Sequence, residues 1–358
     1  MSRDVIASID RAAFQHNFNL VRKLTAGASI WAMIKSSGYG HGLLRTAKWL
    51  TEVDALGVAC VEEALALRRA NIIVPIFVMA GFLDETELRL FEENNIGAVI
   101  HHGTQLQILE NYKFSKPLNI WLKIDTGMHR LGFAVEEFDE VYDRLQKISA
   151  VQKPFGIMTH LADADNKNKQ HTENQIRQFL KVTKHIDAPK SIANSAGILA
   201  YSHAHANWVR PGIILYGVSP FADRTGQLEG LKPVMTLTAK LIAKKILKKN
   251  NFIGYGCTWS APEDMPVGMV AVGYGDGYPR HAVSGTPTLI KGKICPLVGR
   301  VSMDIISIDL RSYPDAKVGD TVTLWGEGLP IEKVAAYADT IGYGLLCGVT
   351  QRVRYVEK

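Results

Sequence analysis

Between Ile30 and Val209 the chain repeats one pattern eight times, a short apolar run followed by a stretch of helical spacing. The runs are Ile30–Ile34, Ala55–Ala59, Pro75–Ala80, Gly97–Ile100, Asn119–Ile124, Phe155–Thr159, Ser191–Ala193 and Asn207–Val209. The helices expected after them include Leu43–Thr51, Glu62–Arg69, Asp84–Asn94, Thr104–Tyr112, Val135–Ile148, Thr172–His185 and Gly197–Tyr201. Near-continuous apolar strands alternating with helices predict a parallel sheet, and eight such units predict a closed (β/α)₈ barrel of the TIM type. Ahead of them, Val5–Ile9 reads as a strand and Asp10 as the cap of a helix running to about Leu24.

Beyond Gly217 the texture changes. Ser219–Lys232 is loop-like, and from Val234 onward come short β runs: Val234–Ala243, Met269–Val272, Thr288–Lys291, Ile294–Val298, Asp304–Asp309, Thr321–Trp325 and Arg352–Val356. Only Ile331–Thr340 looks helical there. The expected organisation is an α/β barrel over residues 8–232 and a mostly β C-terminal domain over residues 233–358.

Composition excludes several classes. With 47% hydrophobic and 21% charged residues in 358, the chain has material for a large core. No stretch has the uninterrupted apolar length of a membrane span, and Met1–Asp10 lacks the apolar core of a signal peptide. Cys60, Cys257, Cys295 and Cys347 are scattered, which suits reduced thiols in a cytoplasmic protein. His101–His102 and His203/His205 lack companion ligands, so no metal is expected. The net charge of +6 is mild. Its one concentration, Lys240–Lys249, alternates with Leu237, Ala239, Leu241 and Ala243 as a strand with a solvated lysine face would, so no nucleic-acid partner is expected. A mild positive balance suits a small anionic ligand.

In a barrel the strand ends converge on one rim. Standing at or just past those ends are Lys35, Asp125, His160, Asn194–Ser195 and Arg210. Lys35 closes the run Ile30–Ile34 and leads into Gly38, Gly40 and Gly42, with Tyr39 and His41 among them. Alone, such a lysine reads better as a side chain snorkelling to water. Burial at a rim would instead favour the free amine that attacks carbonyls, and the convergence favours this second reading. Four Gly-Tyr-Gly triplets put Tyr39, Tyr255, Tyr274 and Tyr343 on permissive backbone, where a phenol can donate to phosphate or carry a proton. Trp121–Phe133 gathers Lys123, Asp125, His129 and Arg130 around a strand end, either as an ion network or as a fork for a carboxylate or phenolate. Arg210 with Gly212 and Ile213 can join an anion site built from backbone N–H groups.

Taken together, the segments K-S-S-G-Y-G-H-G, K-I-D-T-G-M-H-R-L-G-F, I-A-N-S-A-G, R-P-G-I-I-L-Y-G, G-Y-G-C-T-W, V-G-Y-G-D-G-Y-P-R and G-R-V-S-M-D resemble the alanine racemases, in order and over nearly the whole chain. The resemblance implies a homodimer with shared active sites that interconverts L- and D-alanine on pyridoxal 5'-phosphate, supplying D-alanine for peptidoglycan or catabolising it. It implies that the strand at residues 1–7 joins the C-terminal domain. By matching motif, Lys35 is the Schiff-base lysine, and Tyr39, Ser195, Gly212, Ile213 and Tyr343 hold the phosphate. Arg130 contacts the phenolic oxygen and the substrate carboxylate, His160 packs beside the pyridine ring, and Arg210 faces its nitrogen. Tyr255 is the second catalytic base and Met303 binds substrate carboxylate through its backbone N–H, both from the partner subunit. Lys123 matches a lysine that some members carry as a carbamate.

The sequence departs from the family in two places: K-S-S-G-Y-G-H-G replaces the usual K-A-N-A-Y-G-H-G, and Ser191 stands where some members back Arg210 with histidine. Racemisation needs two bases on opposite faces of the α-carbon, here Lys35 and Tyr255. An arginine cannot surrender its proton, so Arg210 would leave the pyridine nitrogen unprotonated and restrain transamination and decarboxylation. Two other readings are a racemase of broader or different amino-acid specificity on the same fold and a non-catalytic pyridoxal phosphate carrier. Such carriers are single barrels, and the β domain with Tyr255 and Met303 argues against the carrier.

Overall fold

A computed structural model describes residues 4–166 and 169–358, so residues 1–3 of the expected N-terminal strand lie outside it. The chain forms two compact units, Asn19–Gly212 and a second made from the residues up to Phe18 with Ile213–Lys358.

The Asn19–Gly212 unit is the barrel. Its parallel strands follow the hydrogen-bonded order Gly97–Ile100, Ile76–Val78, Ala55–Val58, Ser29–Met33, Trp208–Val209, Lys190–Ser191, Gly156–Met158 and Ile120–Asp125, and the last pairs back onto the first, Ala98 with Ile120. All eight anticipated strands are present. Ala55–Val58, Ile76–Val78, Gly97–Ile100 and Gly156–Met158 are buried throughout, as strands covered on both faces must be. Inside the barrel Trp31 packs on Phe77 and Trp121, with ring centroids 4.9 and 5.2 Å away, and Trp208 stands edge-on to Trp121 at 5.7 Å. Glycines on the facing strands make room: a Cβ at Gly57 would collide with Met33, one at Gly97 with Phe77, and one at Gly156 with Trp121. Large and small residues thus alternate across the interior, filling it as a packed core.

The barrel helices start where caps allow. Asp84 accepts Glu87 N–H at 2.9 Å ahead of Glu85–Glu93, and Asn194 accepts Gly197 N–H at 3.0 Å ahead of Ser195–Ala200. One two-residue strand was not anticipated: Phe133–Ala134 adds to Ile120–Asp125 in parallel.

In the second unit the 13-residue strand Met235–Leu247 is the hub. It pairs antiparallel with Ile6–Ile9, Met265–Val270 and Thr321–Trp325. Its burial alternates along most of its length and opens outward at Lys244 and Lys245, the solvated lysine face expected. Ile6–Ile9 also pairs in parallel with Arg354–Glu357, and Ala13 N–H finds Asp10 Oδ1 at 2.8 Å at the start of helix Arg11–Leu24. The expected run Ile294–Val298 is two short strands, Lys293–Ile294 and Leu297–Val298, because Pro296 cannot donate to a ladder. A helix over Gly342–Gly348 was not expected beside Ile331–Tyr337; its glycines hide the pattern, while Leu345 and Leu346 are buried.

Candidate active site

Lys35 stands directly beyond the strand Ser29–Met33, half-buried at the barrel rim. The chain then does something the glycines only partly predict. Ser36, Ser37, Gly38 and Tyr39 all take left-handed backbone, with φ of 54°, 55°, 63° and 51°. Consecutive left-handed residues cost roughly 1–2 kcal/mol each unless they are glycine, so this turn needs outside support. Gly38 N–H bonds the Ile34 carbonyl at 2.8 Å and Gly42 N–H the Ser37 carbonyl at 2.7 Å. Glu63 braces it from the next helix, taking Ser37 N–H on Oε1 at 3.1 Å and Ala59 N–H on Oε2 at 2.9 Å. Sequence reasoning counted Glu63 only as part of a helix, and nothing local to it marks this role.

The turn buries Tyr39 and aims its hydroxyl at Gly212, where a Cβ would collide with it. Gly212 N–H donates to Ser195 Oγ at 2.9 Å, and Ser195 opens the helix Ser195–Ala200. A phenol, a hydroxyl and a Cβ-free backbone therefore meet at one place.

Arg210 is 2% exposed, and both terminal nitrogens of its guanidinium are hydrogen-bonded. Nη1 donates to Ser191 Oγ at 2.5 Å, and Nη2 to the carbonyls of Thr159 at 2.5 Å and Ile192 at 3.1 Å. Burial lowers its pKa to about 9, which leaves it cationic at neutral pH. The carbonyls of Thr159 and Ile192 are parts of the site that sequence reasoning did not reach, since any residue supplies a carbonyl. Nη2 also faces His160 Nδ1 at 3.4 Å, which makes that nitrogen an acceptor and puts the ring proton on Nε2. Burial first, then Arg210, Lys123, Arg130 and Lys35, hold His160 well below its ordinary range, so it is neutral.

Lys123, on the strand Ile120–Asp125, is 6% exposed. Burial, helped by Arg210, Arg130 and Lys35 and opposed by Asp125, brings its amine down to about 8. Burial would raise Asp125, but the N–H groups of Gly127, His129 and Met128 outweigh it and hold the carboxyl below its usual range. All three donate to Asp125 Oδ1, at 2.9 to 3.1 Å. Arg130 is exposed on the turn that follows.

The barrel unit thus brings together Lys35, Tyr39, Lys123, Arg130, His160, Ser195, Arg210 and Gly212. The other four anticipated residues belong to the second unit. Ile213 opens a buried 3₁₀ turn, Ile213–Tyr216, and Tyr343 is the second residue of the helix Gly342–Gly348. Tyr255 is 69% exposed between Gly254 and Gly256, both at positive φ, and Met303 is 52% exposed. No cluster of metal-ligating side chains occurs among the described residues, and no helix among them is long and apolar enough to cross a membrane.

An eight-stranded barrel whose strand ends gather lysine and arginine, followed along the chain by a β domain of this topology, defines a two-domain α/β-barrel protein. Residues 9–220 match the family model of the alanine racemase N-terminal domain, and residues 234–357 that of the C-terminal domain. The chain belongs to the alanine racemase family. An alanine racemase of Coxiella burnetii is 56% identical over 356 residues, 98% of each chain, and one of Nitrosococcus oceani is 49% identical over 350 residues, 97% of each. The crystal structure of biosynthetic alanine racemase from Pseudomonas aeruginosa, 38% identical, superposes with a TM-score of 0.97 over 100% of both chains.

Proposed function

We propose that this chain interconverts L- and D-alanine on pyridoxal 5'-phosphate, in the cytoplasm, as a homodimer with shared sites. The sequence pattern divides the chain into a barrel domain over residues 8–232 and a β domain over residues 233–358 with the strand at residues 1–7, whereas the compact units divide after Phe18 and after Gly212. The observation that carries the reading is the charge of the rim. Arg210, Lys123, Arg130 and Lys35 all act on the neutral His160, while the carboxylate beside them, Asp125, spends Oδ1 on three backbone N–H groups. Such a rim is complementary to an anionic ligand. The donor set fits this cofactor in kind: Tyr39, Ser195 and the Cβ-free Gly212 suit a phosphate, Lys35 an aldehyde, and the buried, charged Arg210 a ring nitrogen.

When bound, pyridoxal phosphate supplies the electron sink that makes the α-proton of alanine labile. The chain does the rest. Lys35 would anchor the cofactor, Tyr39, Ser195, Gly212, Ile213 and Tyr343 would hold its phosphate, and His160 would pack beside its ring. Arg210 would face the ring nitrogen and, keeping its own proton, would moderate the sink and favour racemisation over transamination. Arg130 and the backbone N–H of Met303 hold the substrate carboxylate. Lys35 moves the proton on one face of the α-carbon, and the partner's Tyr255 on the other.

Lys123 supports Arg130 as a carbamate. At a pKa of about 8, roughly a tenth of its amine is neutral at pH 7, against well under a thousandth for an ordinary lysine. The neutral nitrogen attacks the carbon of CO₂, a C=O pair moves onto oxygen, and the amine proton leaves to water. The new anion would offset the surrounding cations and orient the Arg130 guanidinium.

The product D-alanine serves peptidoglycan synthesis in one metabolic direction and catabolism in the other. D-alanine formed from L-alanine by the purified protein, compared with L-serine, L-lysine and L-arginine as substrates, tests the assignment. Conversion of another substrate in preference to alanine would overturn it.

A further inference from the structure

In the β unit, one guanidinium outside the groups assigned above ties two turns together. Arg352 Nη2 donates to Asp304 Oδ1 at 2.6 Å, and its Nε lies 3.5 Å from Asp276 Oδ1. Asp276 is buried, and its Oδ2 accepts Gly273 N–H at 2.9 Å, which closes the turn at Tyr274–Asp276. Asp304 is the residue after Met303. Arg352 is tied to the first turn through Thr350 as well: its N–H bonds Thr350 Oγ1 at 3.4 Å, Thr350 N–H bonds the Asp276 carbonyl at 3.1 Å and Thr350 Oγ1 the Gly275 carbonyl at 2.9 Å.

The two turns also meet directly. Tyr274 N–H donates to the Ser302 carbonyl at 3.1 Å, and Gly275 N–H to the Met303 carbonyl at 3.0 Å. A Cβ at Gly273 would collide with the Ser302 and Met303 backbone, and one at Gly275 with the Arg352 guanidinium, so glycine alone permits the approach. Because a trans peptide sets its N–H opposite its carbonyl, fixing the Ser302 carbonyl on Tyr274 turns the Met303 N–H the other way.

We propose that Arg352 is a positioning residue for substrate: by bridging Asp276 and Asp304 it fixes the Ser302–Met303 peptide, so that the Met303 N–H is held ready for the carboxylate of alanine. This rests on the reading that the Met303 N–H binds that carboxylate. A positioning role of this kind acts on binding rather than on proton transfer.

The test uses the holoenzyme and propionate, which has the carboxylate of alanine without its amine. Arg352→Met should raise both KM for L-alanine and the calorimetric Kd for propionate about tenfold, the scale of one weakened hydrogen bond. kcat and the cofactor's absorption spectrum should change little, and Arg352→Lys should recover part of the loss. Should Arg352→Met fail to assemble, Asp304→Ala carries the same expectation. A fall in kcat with KM and propionate binding unchanged would overturn the proposal. Met303→Pro, which lacks the N–H, separates the two ideas. If it leaves propionate binding intact, the Met303 reading fails and Arg352 with it. If it weakens propionate binding while Arg352→Met does not, the Arg352 proposal alone fails.

Discussion

Ser191 Oγ accepts the Nη1–H of Arg210 at 2.5 Å and donates its own proton to the Trp208 carbonyl at 2.8 Å. With the carbonyls of Thr159 and Ile192 and the Nδ1 of His160 it makes four neutral acceptors for one buried cation. A hydroxyl does not titrate, so the setting of Arg210 at this position stays constant with pH. Ser191→Ala would strip one buried donor of its acceptor and should cost about 1–3 kcal/mol. Urea unfolding measures this, and an unchanged midpoint would mean the guanidinium finds another partner.

Arg210→Glu should change what the enzyme makes, beyond how fast it makes it. A carboxyl there can hand a proton to the ring nitrogen and strengthen the electron sink. Racemisation should slow, and pyruvate released per D-alanine formed should rise. An unchanged product ratio would reduce Arg210 to a binding group.

Lys123 gives a pH signature. Folded, its amine titrates at about 8 instead of 10.5. Between those values the unfolded chain holds the extra proton, so stability rises with pH across that window. Below pH 8 the buried ammonium costs on the order of 3 kcal/mol. In CO₂-free buffer the wild type should show this rise and Lys123→Met should not. With ¹³C-bicarbonate, a carbamate carbon resonance should appear in the wild type and be missing from Lys123→Met.

Mixing inactive Lys35→Ala chains with inactive Tyr255→Phe chains tests whether sites are shared. In a shared-site dimer the mixed species has one site with both lesions and one with neither, so activity partly returns. If each chain builds its own site, mixing restores nothing.

Tyr255→Phe should separate the two enantiomers. The ring remains and only the phenolic oxygen is lost. Exchange of the α-proton of L-alanine in heavy water should fall about 10²–10⁴-fold, while exchange into D-alanine, served by Lys35, continues. Equal loss for both would overturn the assignment of faces.

The barrel was legible because burial on both faces writes itself into a strand as a continuous apolar run, and eight of these survive in the sequence. The rim residues followed from where those runs stop. What escaped is of another kind. The brace by Glu63 and the acceptors at Thr159 and Ile192 depend on groups that every helix or peptide carries, so composition cannot mark them. The helix Gly342–Gly348 was hidden by glycines whose low helix propensity the surrounding packing overrides. The left-handed run at Ser36–Tyr39 was half visible, since Gly38 suggests it and the two serines argue against it.

The pairing of Ile6–Ile9 with Met235–Leu247 and with Arg354–Glu357 has a consequence for biosynthesis. This strand is translated about 350 residues before its last neighbour, some 20–70 s apart at ordinary elongation rates. Within that interval the barrel segment Asn19–Gly212 is completed and able to fold, while the apolar edge of Ile6–Ile9 waits without its sheet. Such an edge is what trigger-type chaperones shield and what misassembly exploits. The slowest and most error-prone step in making this protein should therefore be the docking of Ile6–Ile9 between two strands translated so much later.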